Sequence, residues 1–476
     1  MTSKPFGELL SIPVRNGLTK PKKVRGQGFK MVNMGELFKY SRINNILMDR
    51  VPLTPKEQAS SLLEAGDLLF ARQSLVREGA GKCSIFLGDS ERVCFESHLI
   101  RCRLEKTSHN PLFYYYYFSS PDGKALMDTI IEQGAGAAGI RGSDLVNLII
   151  PEFALAFQNK IASILDALDC KIQLNRKINQ DLEQMVQAIF KSWFVDFEPV
   201  KAKVAALEAG GSEQDTLLAA MQAISGKDEL ALTRLKAEQP EQYTNLRATA
   251  GLFPSELQDS ELGEIPEGWA VESFSKIARL DTTSVKPAQE PGKIWEHYSI
   301  PAFDEGAFPA YDFGSEIKSS KYKVHPAAIL SSKLNPHFPR TWVPDVRNHD
   351  GAICSTEFMQ FVPLKLKQRA FIAGMVTSEP FQSGMMMRVT GSTGSRQRAQ
   401  PKQVASMGVV LPPEPLMLEY SNRIASIYAV MARNIRQSQT LSQLRDTLLP
   451  KLLSGELSIS NAVFEPVSPD VADATA

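Results

Sequence analysis

The chain of 476 residues contains no run of about 18 apolar residues, so no segment is predicted to cross a membrane. Its first residues, Met1 to Pro5, include no apolar signal core, which argues against secretion. There are only five cysteines, an odd number, and only six histidines. Neither residue shows a zinc-binding spacing, and a few scattered cysteines fit a reducing compartment. We therefore expect a cytoplasmic protein without a bound metal.

Sequence signatures of common enzymes are also lacking, including a Walker A loop and a Ser-His-Asp arrangement. Residues 134–139 satisfy a G-x-G-x-x-G pattern, but a predicted helix precedes them and a predicted strand follows. That order is the reverse of a nucleotide-binding turn, so we expect a loop. Two Asn-Pro segments, residues 110–113 and 335–338, partly match an amino-methyltransferase loop but lack its second proline. Asp304, Glu316 and Lys318 loosely resemble the carboxylate–lysine group of a nuclease.

What the chain does contain is an internal repeat. Residues 159–164, Asn-Lys-Ile-Ala-Ser-Ile, return almost unchanged as residues 422–427, Asn-Arg-Ile-Ala-Ser-Ile. Weaker matches upstream keep the same order and nearly the same offset: 66–72 with 327–333, 118–121 with 377–380, and 151–152 with 413–414. A repeat this long is not a solenoid, whose period is about 20–50 residues. It predicts a duplicated module made of a globular part followed by a helix.

Charge is divided along the chain, although the net charge is zero. Residues 1–150 carry 20 Lys/Arg against 15 Asp/Glu, and residues 266–412 carry 17 against 13. Residues 201–265 carry 6 against 11. Positive charge in the two globular repeats favours surfaces that face phosphates, although excesses of this size also arise by chance.

Both helical stretches show a heptad pattern of apolar residues, which is typical of coiled coils. Polar residues such as Asn175 interrupt each pattern near its middle and can fix register. The patterns run from Ile161 to Ile189 and from Ile424 to Leu452, so both helices are predicted to be longer than the average globular helix of about 11–12 residues. The simplest partner for each helix is the other copy, in antiparallel orientation. The predicted seam consists of Ile161, Ile164, Leu168, Asn175, Ile178, Leu182, Met185 and Ile189 in the first helix and Ile424, Ile427, Met431, Leu441, Leu448 and Leu452 in the second.

These patterns predict an α+β protein with two similar mixed globular domains, separated by two long antiparallel coiled-coil-like helices. The predicted segments are a first globular domain at 1–150, a central helical spacer at 151–200, an acidic linker at 201–265, a second globular domain at 266–412, a distal helical spacer at 413–460 and a disordered tail at 461–476.

The same arrangement resembles the specificity subunit of type I restriction–modification systems, and the resemblance covers essentially the whole chain. Its most specific parts are the central segment from 174 to 200, which contains Lys191-Ser192-Trp193-Phe194-Val195-Asp196-Phe197, and the distal segment 444–457. The stretch Gly263-Glu264-Ile265-Pro266-Glu267-Gly268-Trp269 before the second domain is also family-like. The first domain lacks an equivalent stretch, which leaves its start open.

The resemblance implies two target-recognition domains that each read one half of a split double-stranded DNA sequence. It also implies assembly with methyltransferase (modification) subunits, which carry S-adenosylmethionine, and with a restriction/translocase subunit that uses ATP and magnesium. On this interpretation the chain itself is non-catalytic and holds no cofactor. The alternatives are an enzyme in which one of the partial motifs is real, or a coiled-coil linker protein, which would not need two basic globular halves.

Candidate DNA-binding residues are cations in loops and Arg/Gln neighbours, since Lys and Arg contact phosphates while Arg and Gln also suit guanine and adenine edges. Four consecutive tyrosines, 114–117, would alternate between core and surface if they form a strand. The candidates are Lys20, Lys22, Lys23, Arg25, Arg72, Gln73, Ser74, Lys82 and Arg141 in the first domain and Lys318, Lys321, Lys323, Lys333, Arg396, Gln397, Arg398 and Lys402 in the second.

Overall fold

The computed structural model describes residues 3–134, 136–390, 397–454 and 456–457, so the predicted tail at 461–476 lies outside the described residues. The chain forms two compact units, one of residues 1–173 with 440–476 and the other of residues 174–439. Among the described helices, none has both the length and the apolar character needed to span a bilayer.

The first unit is built on a five-stranded mixed sheet. Leu68 and Phe70 of its central strand face one hydrophobic cluster, and Leu69 and Ala71 face another. This alternation buries the whole strand, because both faces of the sheet are covered. In spatial order the strands are Leu10–Asn16, Leu99–Leu104, Leu68–Ala71, Cys83–Gly88 and Arg42–Asn44.

Smaller sheets complete the strands of this unit. One three-stranded sheet contains Asp49–Val51, Phe29–Val32 and Val93–Phe95, a second contains Glu132–Gln133, Ala138–Gly139 and Gln73–Ser74, and Ser3–Pro5 pairs with Ile149–Pro151.

The short helices of the first unit follow polar capping residues, which satisfy the free backbone N–H groups of the first turn. Thr54 caps one helix, Asn110 a second and Ser120 a third. The helices are Met34–Lys39, Pro55–Ser61, Pro111–Ser119, Pro121–Asp128 and Gly142–Val146.

The four tyrosines at 114–117 lie in the helix Pro111–Ser119, and each is at most 6% exposed. The tyrosines therefore do not divide between core and surface, because the stretch is a buried helix and not a strand. The helix packs in one cluster with the sheet residues Phe70 and Ile85 and with Leu165, so it is enclosed on all sides.

The second unit repeats this framework. Its four-stranded sheet contains Ala278–Leu280, Phe358–Pro363, Ile329–Ser332 and Thr341–Trp342, and its five-stranded sheet contains Ser284–Val285, Lys321–Lys323, Ala352–Cys354, Ile294–Tyr298 and Ala310–Phe313. Strand pairs join Leu257–Gln258 to Ile265–Pro266, Ala270–Ser273 to Gly408–Leu411, and Val389–Thr390 to Arg398–Ala399. The short helices are Ile300–Asp304, Arg369–Thr377, Glu379–Met386 and Pro401–Ala405.

The order of elements extends the repeat well beyond the matches visible in the sequence. The antiparallel pair Leu68–Ala71 and Leu99–Leu104 corresponds to the pair Ile329–Ser332 and Phe358–Pro363. In both copies two short helices, a small hairpin, another short helix and a strand follow before the long helix begins. The two copies therefore share a framework of helices and strands, although most of their side chains differ.

Residues 201–265, predicted to be an acidic linker, are mostly helical. The helices enclose a small core of their own, which contains Met221, Leu232 and Leu246. High Ala, Leu and Glu content favours helices, and the apolar residues at helical spacing supply the core. The helices are Glu198–Glu208, Glu213–Ser225, Glu229–Glu238 and Pro240–Gly251.

Each copy ends in a helix of 40 residues, the first long helix at Leu155–Phe194 and the second long helix at Glu414–Leu453. Within the second unit, the Nδ2 of Asn175 lies 3.3 Å from the Oγ of Ser438, and the Nδ2 of Asn434 donates to the Oδ1 of Asn179 at 2.9 Å. From Asn175 to Asn179 the residue number in the first long helix rises, while that of the partner in the second long helix falls from 438 to 434, so the two helices run antiparallel. Within the first unit, Ile161 shares a cluster with Leu452, in the same antiparallel sense.

The predicted seam needs one correction. Met185 is 53% exposed, whereas its neighbour Val186 is 2% exposed. The first long helix buries Ile161, Leu165, Ile172 and Val186. The seam position after Ile161 is therefore Leu165, four positions on, and not the predicted Ile164, three positions on. Ile164 and Leu165, like Met185 and Val186, are adjacent apolar residues, so composition alone could not decide which of each pair is the more buried.

The other predicted seam residues are buried or half-buried. Ile161, Asn175, Ile424 and Leu452 are buried, and the half-buried ones are Ile164, Leu168, Ile178, Leu182, Ile189, Ile427, Met431, Leu441 and Leu448.

Candidate nucleic-acid interface

One hairpin loop of the first unit, residues 73–81, is framed by three backbone hydrogen bonds. The N–H of Ala71 donates to the carbonyl of Lys82 at 2.9 Å, and the N–H of Arg72 donates to the carbonyl of His98 at 2.7 Å. The N–H of Ile140 then donates to the carbonyl of Arg72 at 2.9 Å. We call this segment the first hairpin loop.

The second unit holds an equivalent loop, residues 334–339, which we call the second hairpin loop. The N–H of Ser332 donates to the carbonyl of Arg340, and that of Lys333 to the carbonyl of Glu357, each at 2.9 Å. The N–H of Ala399 donates to the carbonyl of Lys333 at 2.9 Å. Arg72 and Lys333 therefore occupy the same place in the two repeats.

The first hairpin loop brings together several predicted residues. Gln73 and Ser74 form the strand that pairs with Ala138–Gly139, and Arg141 follows two residues later. Gln73 is exposed, while the guanidinium of Arg72 lies 3.4 Å from the carbonyl of Ser97. Arg141 is exposed and forms an ion pair with Glu132 at 2.7 Å.

The second hairpin loop gathers Lys333, Gln397 and Arg398. The carbonyl of Gln397 accepts from the N–H of Asn335 at 2.9 Å. Arg398 is exposed and pairs with Glu357 at 3.0 Å, and hydrogen bonding to that carboxylate raises the pKa of Arg398. The predicted Arg396 lies outside the described residues.

The predicted cations at 20–25 lie on a separate segment of the first unit. Lys20 pairs with Glu57 at 2.9 Å, and Arg25 pairs with Asp49 at 2.9 Å. Lys22 and Lys23 between them are exposed in a short 3-10 turn. Two of the four cations therefore already have carboxylate partners in the protein.

Two predicted cations are turned inward. Lys321 is 8% exposed, its Nζ donates to the Oγ of Ser319 at 2.6 Å, and burial lowers its pKa. The Nζ of Lys82 donates to the carbonyl of Phe38 at 2.9 Å. Lys321 is therefore not the surface cation that the sequence indicated, because alternate residues of its strand face inward.

Five predicted lysines remain at the surface. Within the part of the chain that the structure describes, none of their side chains makes a hydrogen bond or an ion pair. Such side chains can contact phosphates without first losing a protein partner. They are Lys22 and Lys23 in the first unit and Lys318, Lys323 and Lys402 in the second.

Comparison with known proteins finds relatives of this chain in one family. A family model described as the type I restriction modification DNA specificity domain matches residues 3–184. The specificity subunit of the type I restriction enzyme HindI from Haemophilus influenzae is 27% identical over 426 residues, which are 84% of this chain and 88% of that protein. The MjaIX specificity subunit from Methanocaldococcus jannaschii is 23% identical over 364 residues, 73% of this chain and 68% of that protein.

The chain is similar to the specificity subunits of type I restriction–modification systems.

A solved structure, the S subunit of a type I restriction–modification system from M. genitalium, is 13% identical, covers 95% of both chains and has a TM-score of 0.45. The family model covers the first globular repeat of the chain and most of the first long helix. The second repeat, which has the same order of elements, lies beyond the matched residues.

In the first unit, a cluster that sequence reasoning missed joins the two long helices. Asp169, 5% exposed, accepts hydrogen bonds from Arg445 at 2.6 Å and from the hydroxyl of Tyr116 at 2.8 Å. Arg42 reaches the same carboxylate at 3.4 Å and also pairs with Asp166. Burial and this carboxylate raise the pKa of Tyr116. The partners lie far apart in the chain, so no local pattern pointed to them.

The partial enzyme motifs have structural roles. Gly134 begins the turn between Glu132–Gln133 and Ala138–Gly139, with its N–H donating to the carbonyl of Ala137 at 2.9 Å. The side chain of Asn110 accepts from the N–H of Leu112 at 2.9 Å at a helix start.

The nuclease-like residues also do not form one group. Asp304 binds Arg340 with two hydrogen bonds, at 2.7 and 2.9 Å, while Glu316 accepts from the N–H of Phe313. No group of three or more His, Cys, Asp or Glu side chains able to hold a metal ion lies in the described part of the chain.

The described cysteines are poor nucleophiles at neutral pH, because thiolates and not thiols attack substrates. Burial raises the pKa of Cys94 to about 12 and that of Cys354 to about 12. Burial also raises the pKa of Cys83 and Cys102, and that of the exposed Cys170 is raised as well. The four buried cysteines contribute packing.

Proposed function

We propose that this chain reads a bipartite double-stranded DNA target, one half with each repeat, and holds the other subunits of a type I restriction–modification complex. The observation that carries the proposal is the pair of equivalent hairpin loops. Each loop follows a buried central strand and starts beside a cation, Arg72 in one repeat and Lys333 in the other. A protein that carries the same reading framework twice is suited to a target with two halves.

The chemistry of the loops suits DNA. Exposed lysines such as Lys22 and Lys318 provide phosphate contacts, which position a protein on the duplex without reading its sequence. Gln73 and the arginines beside it have the donors and acceptors that distinguish adenine and guanine edges in the major groove. The two long helices form the spacer in this proposal, and their length sets the number of unread bases between the halves.

We also propose that the chemistry resides in partner subunits. Methyltransferase subunits would supply S-adenosylmethionine, and a restriction/translocase subunit would use ATP and magnesium. This chain is then non-catalytic, and its similarity to specificity subunits supports that assignment. The structural engagement of its partial enzyme motifs agrees with it.

The test is a comparison of methylated bases across a host genome with and without this gene product. We expect a methylated sequence with two specific halves and a fixed unread spacer, which disappears when the gene is deleted. A methylome that does not change on deletion would contradict the proposal.

The purified chain alone should not methylate DNA, and methylation should appear when methyltransferase subunits are added. Robust methylation by the isolated, contaminant-free chain would favour the enzyme alternative instead.

A further inference from the structure

The two hairpin loops each expose a large apolar side chain at their tip. Leu75 in the first hairpin loop is 88% exposed, and the next residue, Val76, is 59% exposed. In the second hairpin loop Phe338 is 58% exposed. A single exposed apolar residue needs no explanation. An exposed apolar residue at the tip of both equivalent loops does need one, because these loops share a backbone frame but not a sequence.

Local hydrogen bonds hold both tips in place. In the first loop the Oγ of Ser74 accepts from the N–H of Val76 at 3.2 Å, and a short 3-10 turn follows at Arg77–Gly79. In the second loop the N–H of Phe338 donates to the carbonyl of Asn335 at 2.9 Å. Asn335, the first residue of this turn, has a φ of 47°, in the left-handed region that asparagine tolerates better than most residues. The apolar side chains are therefore presented outward by ordered turns.

Polar and cationic groups surround the tips. Arg72 comes three residues before Leu75, and Lys333 comes five residues before Phe338. The guanidinium of Arg340 lies 5.8 Å from the centre of the Phe338 ring. An apolar side chain flanked by cations fits a nucleic acid, whose bases are apolar on their faces and whose backbone is anionic.

The first tip also stands beside a shallow apolar depression of about 520 Å³. Leu75 and Ser74 form one side of it, and the rest is lined by Met34, Phe38, Gln73, His98 and Ala137. It provides space next to the tip in which a displaced base pair edge can be accommodated.

We propose that Leu75 and Phe338 are wedge residues, each of which inserts its side chain at one base step of its own half of the target. Leu and Phe are side chains that proteins use to part stacked bases, and the cost of unstacking is offset by closer contact with the duplex. This inference rests on the proposed function, and it adds the residues that deform the DNA in each half.

The experiment uses the complex of this chain with methyltransferase subunits and duplexes that carry the target found from the methylome. A fluorescent adenine analogue, 2-aminopurine, is placed at successive positions of each half, since its emission rises when a base is unstacked. The variants are Leu75→Ala and Phe338→Ala. The control is Leu230→Ala, which alters a side chain that is 63% exposed in the helix Glu229–Glu238 and belongs to neither loop.

We expect the unaltered complex to raise the emission at one step in each half. Leu75→Ala should abolish the rise in one half only, Phe338→Ala should abolish it in the other, and each should weaken target binding about tenfold. Leu230→Ala should change neither. Because the altered side chains are exposed, melting temperatures should stay equal, which separates the effect from misfolding.

Other outcomes overturn the inference in distinguishable ways. Specific binding without any rise in emission refutes the wedge and leaves the proposed function standing. Loss of binding on replacing thymine by uracil, again without a rise, indicates a methyl contact instead of a wedge. Loss of subunit assembly in Leu75→Ala would make the tip a protein contact. Absence of specific binding by the unaltered complex contradicts the proposed function itself.

Discussion

The two hairpin loops of this protein share a backbone frame and differ in almost everything attached to it. Three backbone hydrogen bonds have the same pattern in both, with lengths between 2.7 and 2.9 Å. On that frame His98 in one repeat stands where Glu357 stands in the other, and the exposed apolar residue is Leu75 in one loop and Phe338 in the other. The comparison teaches that the framework sets where a side chain is presented, while the sequence of the loop decides which side chain that is. If the loops read DNA as proposed, the two copies can read different halves.

The largest effect should come from exchanging one whole reader. Replacing residues 3–153 by the equivalent segment of a relative moves the strand pair Ser3–Pro5 and Ile149–Pro151 intact and leaves the long helices unchanged. We expect one half of the methylated target to change and the other half to stay the same. The measurement is the methylome of cells that carry the exchanged gene.

The reverse exchange, of the second globular repeat, is the control and should change the opposite half. A target altered in both halves by either exchange would mean that the two repeats do not read independently.

A lengthened pair of helices should alter the spacer and neither half. Inserting seven residues after Arg176 and seven before Gln437 preserves the heptad phase and adds about 10.5 Å of helix. The unread spacer should grow by about three base pairs, since DNA rises about 3.4 Å per pair. Target sequences of the methylating complex give the answer.

Insertion in the first long helix alone serves as a control, because the contact of Asn175 with Ser438 and that of Asn179 with Asn434 lie on opposite sides of the insertion and cannot then both form, which should impair folding. Unchanged spacing in the doubly extended, active complex would leave the helices as a surface for partners only.

The contacts between the long helices differ between the units, and their loss should differ too. In the first unit Asp169→Ala leaves Arg445 and the buried Arg42 without their shared carboxylate, which should lower the free energy of unfolding by about 3 kcal/mol. In the second unit Ser438→Ala removes a neutral hydrogen-bond partner and should cost about 1 kcal/mol. Denaturant unfolding measures both.

Asp181→Ala is the matched control for charge, because its ion pair with Lys177 is exposed and such pairs contribute little. Equal losses for Asp169→Ala and Asp181→Ala would show that the buried cluster does not hold the helices.

The smallest effect should follow from freeing the loop arginines. Glu132→Gln releases Arg141, and Glu357→Gln releases Arg398. Because exposed ion pairs are weak, DNA should bind only about twofold more tightly, with a steeper dependence on salt. Binding titrations at several salt concentrations measure this. Weaker binding in either variant would mean that the carboxylate itself contacts the DNA.

Sequence patterns predicted the long helices of this fold better than they predicted which of their side chains are buried. The long helices follow from their heptads, but Met185 was assigned to the seam in place of Val186 because both are apolar. The tyrosines at 114–117 favour a strand by composition, yet the chain around them forms a helix capped by Asn110. Tertiary packing decided what local propensity left open.

The sequence indicated which residue types form the candidate interface, but not which of its cations already pair with carboxylates of the protein. Loop lysines such as Lys22 are exposed, but Lys20 and Arg25 are paired with Glu57 and Asp49, which lie 37 and 24 residues away in the sequence. Lys321 turned inward because its strand is covered on that side. The equivalence of Arg72 and Lys333 was visible in the sequence repeat, whereas the exposed tips gave no signal until the loops were seen.

The contact between Asn175 and Ser438 has a further meaning. When the matching hexapeptides at 159–164 and 422–427 are aligned, these two residues are counterparts, 263 positions apart. A residue that touches its own counterpart lies on a local two-fold axis, the arrangement found at the centre of a symmetric homodimer. At this contact the helix pair therefore has the self-complementary geometry with which two identical helices would meet, although both copies belong to one chain and differ in most of their side chains.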